Sequence, residues 1–178
     1  REQITTWVDT NREYLIETAN EIFKHPEISL EEKVSSKILA DYLEKQGFTV
    51  TWGLAGFETA FIAEWGHGEP VLGFLAEYDA LPGLGQETCS TRKAIEGPGH
   101  GCGHNLLGTA CAGAAGALKS WMETEEREGT IRVYGCPAEE IVIGKIRMNE
   151  AGVFDDLSAA ITWHPFDRNR VSYDIWQA

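Results

Sequence analysis

Between residues 2 and 24 the apolar side chains Ile4, Trp7, Val8, Leu15, Ala19, Ile22 and Phe23 recur at helical spacing, and the pattern stops before Pro26. One helix is expected there. Ser29-Leu30-Glu31-Glu32 has the form of a capping box. Val34, Ile38, Leu39, Tyr42 and Leu43 then mark one face of a second helix, which Gly47 is placed to stop. After Gly47 the period shortens, and residues 48–52, 59–65 and 71–78 read as strands. Val71 to Ala76 is a continuous apolar run, the pattern of a strand covered on both faces. The turn Gly66-His67-Gly68-Glu69-Pro70 between the last two strands is expected to be a hairpin-type connection, with His67 in solvent.

A polar, glycine-containing stretch without periodicity covers 83–97. From about Asn105 to Glu123 the residues are small and apolar. They predict a buried helix capped by Asn105, in which Gly108, Gly113 and Gly116 permit close packing on a sheet. Thr130 to Cys136 reads as a strand, Gly144 to Ala151 as a short helix, and Ala159 to Trp163 and Val171 to Trp176 as further strands. This alternation predicts an α/β fold of three layers, with a central sheet largely parallel in its middle and flanked by helices. No repeat, low-complexity tract or linker interrupts it.

Composition narrows the class. The chain has 178 residues, 43% of them hydrophobic, enough for one domain with a substantial core. Its formal charge of −13 argues against nucleic acid or an anionic membrane as partner, since both select basic surfaces. The cysteines at 89, 102, 111 and 136 are irregularly spaced, and Cys111 falls inside an apolar helix. A reducing, cytoplasmic setting with free thiols is expected. No basic start leads into an apolar segment, and the low-charge stretch Leu106 to Leu118 is too short to span a bilayer.

The chemistry concentrates at Gly97-Pro98-Gly99-His100-Gly101-Cys102-Gly103-His104-Asn105, a glycine-rich loop that ends at a helix. Thiolate and imidazole are ligands that suit zinc and related metals. Three predicted strand ends add acids and a third imidazole: Glu77 with Asp79, Glu139 with Glu140, and His164. Ligands of open α/β sheets gather beyond the carboxyl ends of the strands, so these residues are expected at one crevice. Successive residues leaving a strand point in different directions, so Glu140 can bind a metal while Glu139 reaches the water on it, the basic apparatus for hydrolysing an amide. Chance clustering on a flexible loop, and a merely solvated pair of glutamates, would leave the same residues in the sequence. His25, beside Pro26, is expected to cap helix-end carbonyls and not to bind metal.

Gly73-Phe74-Leu75-Ala76-Glu77-Tyr78-Asp79-Ala80-Leu81-Pro82, His100-Gly101-Cys102-Gly103-His104-Asn105-Leu106-Leu107-Gly108, Gly135-Cys136-Pro137-Ala138-Glu139-Glu140 and Thr162-Trp163-His164-Pro165 together resemble the aminoacylase/carboxypeptidase-like metallopeptidases, most nearly the branch that hydrolyses p-aminobenzoyl-glutamate. The resemblance implies a zinc-exopeptidase-like catalytic domain holding two divalent ions, manganese or zinc, that cleaves N-acyl amino acids or dipeptides. It implies that Cys102 bridges the ions, that His104 and His164 complete one ion's protein ligands, that Glu140 binds the other, and that Glu139 is the general base. Glu77 aligns with an acid that elsewhere follows a metal-binding histidine by two residues, and Leu75 stands in that histidine's place. Glu77 and Asp79 are therefore expected to orient His104 or its loop. His100 is expected either as a substrate or orienting contact near the site or as a hydrogen-bonding residue of the loop.

The family is longer than this chain. The resemblance implies an inserted lid domain after about residue 178, which mediates dimerisation or pairing with a homologous subunit, and a last histidine ligand beyond it. The chain is accordingly expected to be an N-terminal portion, inactive alone, that holds one ion more tightly than the other. The alternative is a non-catalytic metal-binding or regulatory module degenerate from the same fold.

Overall fold

The computed structural model describes residues 1–167, and the strand expected over 171–176 lies outside the described residues. Among these residues five α-helices and five strands follow in chain order: α1 (Glu2–Thr10), α2 (Arg12–Lys24), α3 (Lys33–Lys45), β1 (Thr49–Trp52), β2 (Phe61–His67), β3 (Val71–Glu77), α4 (His104–Thr124), β4 (Gly129–Cys136), α5 (Gly144–Glu150) and β5 (Ala159–Ile161). The strands form one sheet in the order β1-β2-β4-β3-β5. β4, β3 and β5 run parallel, while β1–β2 and β2–β4 pair antiparallel.

The expected hairpin between β2 and β3 does not form, because β4 lies between them. It pairs Phe61↔Gly135 through His67↔Gly129 on one side and Val71↔Thr130 through Glu77↔Cys136 on the other. β4 is buried at every position but Arg132, so both its edges need backbone partners. Residues 66–70 wrap its start instead: Thr130 donates from its N–H to the Pro70 carbonyl at 3.0 Å and from its hydroxyl to the Gly68 carbonyl at 2.8 Å.

The helical stretch 2–24 also divides. At Asn11 the side-chain amide donates to the Trp7 carbonyl at 2.8 Å, a local bond that competes with continuing the helix. Both halves pack on α4, where glycine admits them; a Cβ at Gly116 would lie 2.7 Å from Trp7 and one at Gly113 2.8 Å from Leu15. The predicted capping box is replaced by Glu27, whose carboxylate accepts from the N–H groups of Val34 (3.0 Å) and Ser35 (2.8 Å). α4 starts one residue earlier than expected, with Gly103 as its N-cap at φ 78°, and the Asn105 amide donates to the Ala19 carbonyl instead. At the end of α2 a ring nitrogen of His25 meets the Glu21 carbonyl at 2.8 Å, as expected of a helix-end histidine.

The layers follow from alternation along β4. Val133 points into the larger core with Ile22, Leu39, Leu43 and Leu107 of α2, α3 and α4, whereas Tyr134 points to the opposite face, where Met148 of α5 packs with Phe154 and Leu157. The cysteines are free; Cys111 and Cys136 are buried, and desolvation pushes both thiols up to about 12. No helix among the described residues is long and apolar enough to cross a membrane.

One buried carboxylate couples this frame to the turn after β4. Glu32, fully buried, accepts on Oε1 from the N–H groups of Leu30 (2.9 Å) and Ala138 (2.8 Å), and on Oε2 from the Thr59 hydroxyl (3.2 Å). Glu32→Ala strands both N–H groups and is expected to cost about 3 kcal/mol or more, whereas Glu32→Gln keeps an acceptor and should cost about 1 kcal/mol or less. Desolvation raises the Glu32 pKa above 4.5 despite the backbone donors. Its contribution to stability is therefore complete below that value and is lost as pH rises through the raised one. Denaturant unfolding at about pH 5 and about pH 7.5 should show Glu32→Gln gaining on the wild type at the higher pH; a gap independent of pH would contradict the assignment.

Candidate functional site

Three parallel strands end side by side and deliver their acids and imidazole to one place. β3 runs out through Glu77, Tyr78 and Asp79, β4 into Pro137-Ala138-Glu139-Glu140, and β5 towards His164. The N-terminus of α4 meets them from the 97–103 loop. Glycine sets how close it comes: a Cβ at Gly108 would lie 2.4 Å from the Glu77 carbonyl oxygen, and one at Gly103 2.9 Å from Pro165 Cγ.

Asp79 and His104 form the buried centre, 1% and 0% exposed. His104 Nδ1 donates to Asp79 Oδ1 at 2.8 Å, and Asp79 Oδ2 accepts from the Ser29 hydroxyl at 2.8 Å and the Glu140 N–H at 3.0 Å. Burial alone would raise the Asp79 carboxyl, but these donors hold it below the ordinary carboxylate range. Burial alone would likewise lower His104, yet its bond to Asp79 and the nearby charges of Glu77 and Asp79 raise it. Because Asp79 holds the proton on Nδ1, Nε2 faces the crevice. It lies 3.1 Å from Glu77 Oε2 and 3.7 Å from Glu139 Oε2, with no hydrogen bond to either.

Cys102 Sγ approaches His164 Nε2 at 3.1 Å. Among the described residues two donor sets result, Cys102–His104–His164 and Glu77–His104–Glu139, each with its ligand atoms within 4.8 Å of one another and with His104 common to both. Glu140 belongs to neither. Its Oε1 is buried without a hydrogen bond, 3.8 Å from His104 Nδ1. Burial raises the Glu140 carboxyl, helped by the charges of Asp79 and Glu139. Desolvation, then the charges of Glu140, Glu139 and Glu77, push the Cys102 thiol up to about 11. Such a thiol becomes a thiolate only beside a compensating cation. Imidazole nitrogen facing carboxylate oxygen without a hydrogen bond, next to an unsatisfied buried carboxylate, is costly, and a cation relieves both. The donors therefore fit divalent metal ions.

Every residue singled out in the sequence lies in or beside this crevice, but not all in one role. Asp79 hydrogen-bonds His104, Glu77 and Glu139 stand in one donor set with His104, and Glu140 lies beside that set. His100 lies to one side, with Nε2 3.2 Å from the Ile22 carbonyl, in a cleft of about 480 Å³ lined also by Phe23, Lys24, Leu84 and Ile95. Sequence reasoning missed Ser29, Glu32 and Lys145. Locally Ser29 and Glu32 read only as the ends of a capping box and Lys145 carries no mark, because the partners that matter lie 50, 106 and 68 residues away. Gly103 sits at φ 78° with Pro165 against it, so Gly103→Ala is expected to strain the loop and push the 164–165 segment off Cys102. Alkylation followed by peptide mapping should show Cys102 reacting severalfold faster, with Cys111 and Cys136 as protected references; an unchanged rate would refute the packing role.

The sequence matches the model of peptidase family M20/M25/M40 over residues 73–175. It is 48% identical over 161 residues to one subunit of the p-aminobenzoyl-glutamate hydrolase of Escherichia coli, covering 89% of this chain and 34% of that protein. It is 33% identical over 178 residues to human Xaa-Arg dipeptidase, covering 91% of this chain and 38% of that one. Among solved structures, a Bacillus subtilis dinuclear metal-binding peptidase of the M20 family superposes with a TM-score of 0.72 at 30% identity, over 85% of this chain and 42% of that one. The chain thus spans between a third and two fifths of the length of these curated relatives. Its fold, its clustered donors and the matched motifs agree, and the chain belongs to peptidase family M20/M25/M40.

Proposed function

We propose that this chain is the metal-binding portion of the catalytic domain of an amidohydrolase that, as a whole protein, cleaves the amide bond of an N-acyl amino acid. The observation that carries the reading is the position of Glu139. It stands at the edge of a buried donor set, its own side chain 33% exposed while those of Glu77 and His104 are 7% and 0% exposed. A carboxylate so placed can meet both the ligand site and a molecule arriving from solvent. The relatives' names share an amide bond to an amino acid, and 48% identity to the Escherichia coli hydrolase makes p-aminobenzoyl-glutamate the first candidate, with dipeptides and other N-acyl amino acids behind it.

In this reading Cys102, His104 and His164 would hold one divalent ion, and Cys102 with Glu140 would serve a second. When bound, manganese or zinc ions there supply Lewis acidity, acidifying a water and polarising the amide carbonyl. Asp79 keeps the His104 proton on Nδ1 and leaves Nε2 as the ligand atom. Glu139 takes the proton of the attacking water and hands it to the leaving amine, general acid–base work by one group. The remaining length of the protein would contribute an inserted lid, a last histidine ligand and the dimer contact, so the 178-residue chain alone would be inactive.

Glu139→Gln in the full-length protein is expected to lower kcat by about 10²- to 10⁴-fold on N-acyl amino acids with metal content unchanged. Loss of metal in parallel with activity would remove Glu139 from the base role, and an inactive full-length wild type would favour a non-catalytic module. Metal titration of the 178-residue chain should resolve one ion held more tightly than the other; two equally tight ions would contradict the ligand assignment.

A further inference from the structure

The turn that carries Glu139 and Glu140 is held from several sides. The Ala138 N–H donates to Glu32 Oε1 at 2.8 Å, the Glu140 N–H to Asp79 Oδ2 at 3.0 Å, and the Val142 N–H back to the Glu139 carbonyl at 2.8 Å. Lys145, in the first turn of α5, ties the far side through an ion pair to Glu77. This backbone sets Val142 at φ 58°, in the left-handed region that suits glycine or asparagine. Of the non-glycine residues at positive φ among those described, Val142 alone is β-branched, the type least at home there. Packing does not offset the strain. Val142 is 66% exposed and joins neither apolar core, whereas Ala138, also at positive φ, is fully buried. Neighbours share its character: Ile141 is exposed, as are Leu106, two residues after His104, and Trp163, next to His164. Three segments that bring acids or imidazoles to the crevice thus each carry an exposed apolar side chain within two residues. Apolar lining around a few polar groups is the composition of a site for a ligand with an apolar part.

We propose that Val142 is a specificity-determining residue: the strained 139–142 turn presents its side chain to the acyl group of the substrate, selecting a bulky apolar group such as a benzoyl ring over acetyl. The inference rests on the amidohydrolase reading and deepens it. A turn closed by the bond from Val142 to Glu139 brings their Cα atoms within about 7 Å. An amide carbonyl within reach of Glu139 therefore leaves its acyl substituent within reach of Val142. Backbone strain kept at an exposed position beside reacting groups is where a functional demand outweighs local stability.

The test measures kcat and KM of the full-length protein on p-aminobenzoyl-glutamate and on N-acetyl-glutamate, together with thermal unfolding. The wild type should favour the aromatic substrate. Val142→Gly and Val142→Asn should each lower the aromatic-to-acetyl ratio of kcat/KM by about fivefold or more, chiefly through KM. Val142→Ile, which keeps an apolar side chain, should hold that ratio within about twofold of the wild type. Val142→Asn should also raise the unfolding midpoint, by about 1–3 °C, because asparagine tolerates the left-handed backbone better. An unchanged ratio in the glycine and asparagine variants, or a lowered midpoint for Val142→Asn, overturns the role of Val142. So does a wild type that cleaves N-acyl amino acids without preferring the aromatic one, and in each of these cases the hydrolase reading stands. A full-length wild type that cleaves no N-acyl amino acid overturns that reading and the inference together.

Discussion

The site depends on one buried carboxylate. Asp79 is almost without solvent, yet three donors from three separate elements satisfy it: the Ser29 hydroxyl ahead of α3, the Glu140 N–H beyond β4, and His104 Nδ1 at the start of α4. A buried charge is tolerable only when hydrogen-bonded in this way. The consequence is positional as much as energetic. The same bonds that stabilise Asp79 set the His104 tautomer, the distance of α4 from the sheet, and the direction in which Glu139 and Glu140 leave β4. Removing the carboxylate would therefore release three pieces of the crevice at once.

The sheet divides its work accordingly. Its parallel half, β4-β3-β5, ends in the residues of the crevice, while the antiparallel β1 and β2 lie away from it and cover the flank of β4. Where helix and strand end must come close, side chains are absent: Gly108 lets α4 lie on the Glu77 carbonyl, and Gly144 lets α5 lie on that of Pro137. These glycines do no chemistry. They let the backbone approach closely enough for short side chains such as Asp79 and Cys102 to touch partners on other elements.

Local pattern made much of this legible. The apolar run of β3, the small-residue helix α4 and the strand–acid endings could be read from neighbours in sequence, and the Cys102/His104 spacing suggested ligands before any fold was known. Order in the sheet was not legible, because the turn 66–70 looks the same whether it closes a hairpin or passes around a strand from residue 129 onward. The break at Asn11 escaped because it rests on one side-chain bond inside an otherwise continuous pattern. Glu32 and Lys145 escaped for a deeper reason. Glu32 reads locally as the end of a capping box and Lys145 has no local mark, and only tertiary contacts across 106 and 68 residues reveal them as tethers.

The charge balance of the crevice explains how its acidic residues can stand together. Gathering Glu77, Asp79, Glu139 and Glu140 around one imidazole would be self-defeating if each carried an uncompensated charge. Each is answered differently. Asp79 is answered by neutral and histidine donors, Glu77 by Lys145, Glu139 by partial exposure, and Glu140 by a carboxyl pKa raised through burial. What stays unanswered is local: His104 Nε2, the buried oxygen of Glu140 and the Cys102 thiol held near 11. These groups can all be satisfied together by cations, so the affinity of the crevice for metal is the remainder of its electrostatics after folding, and not a separate property added to the fold.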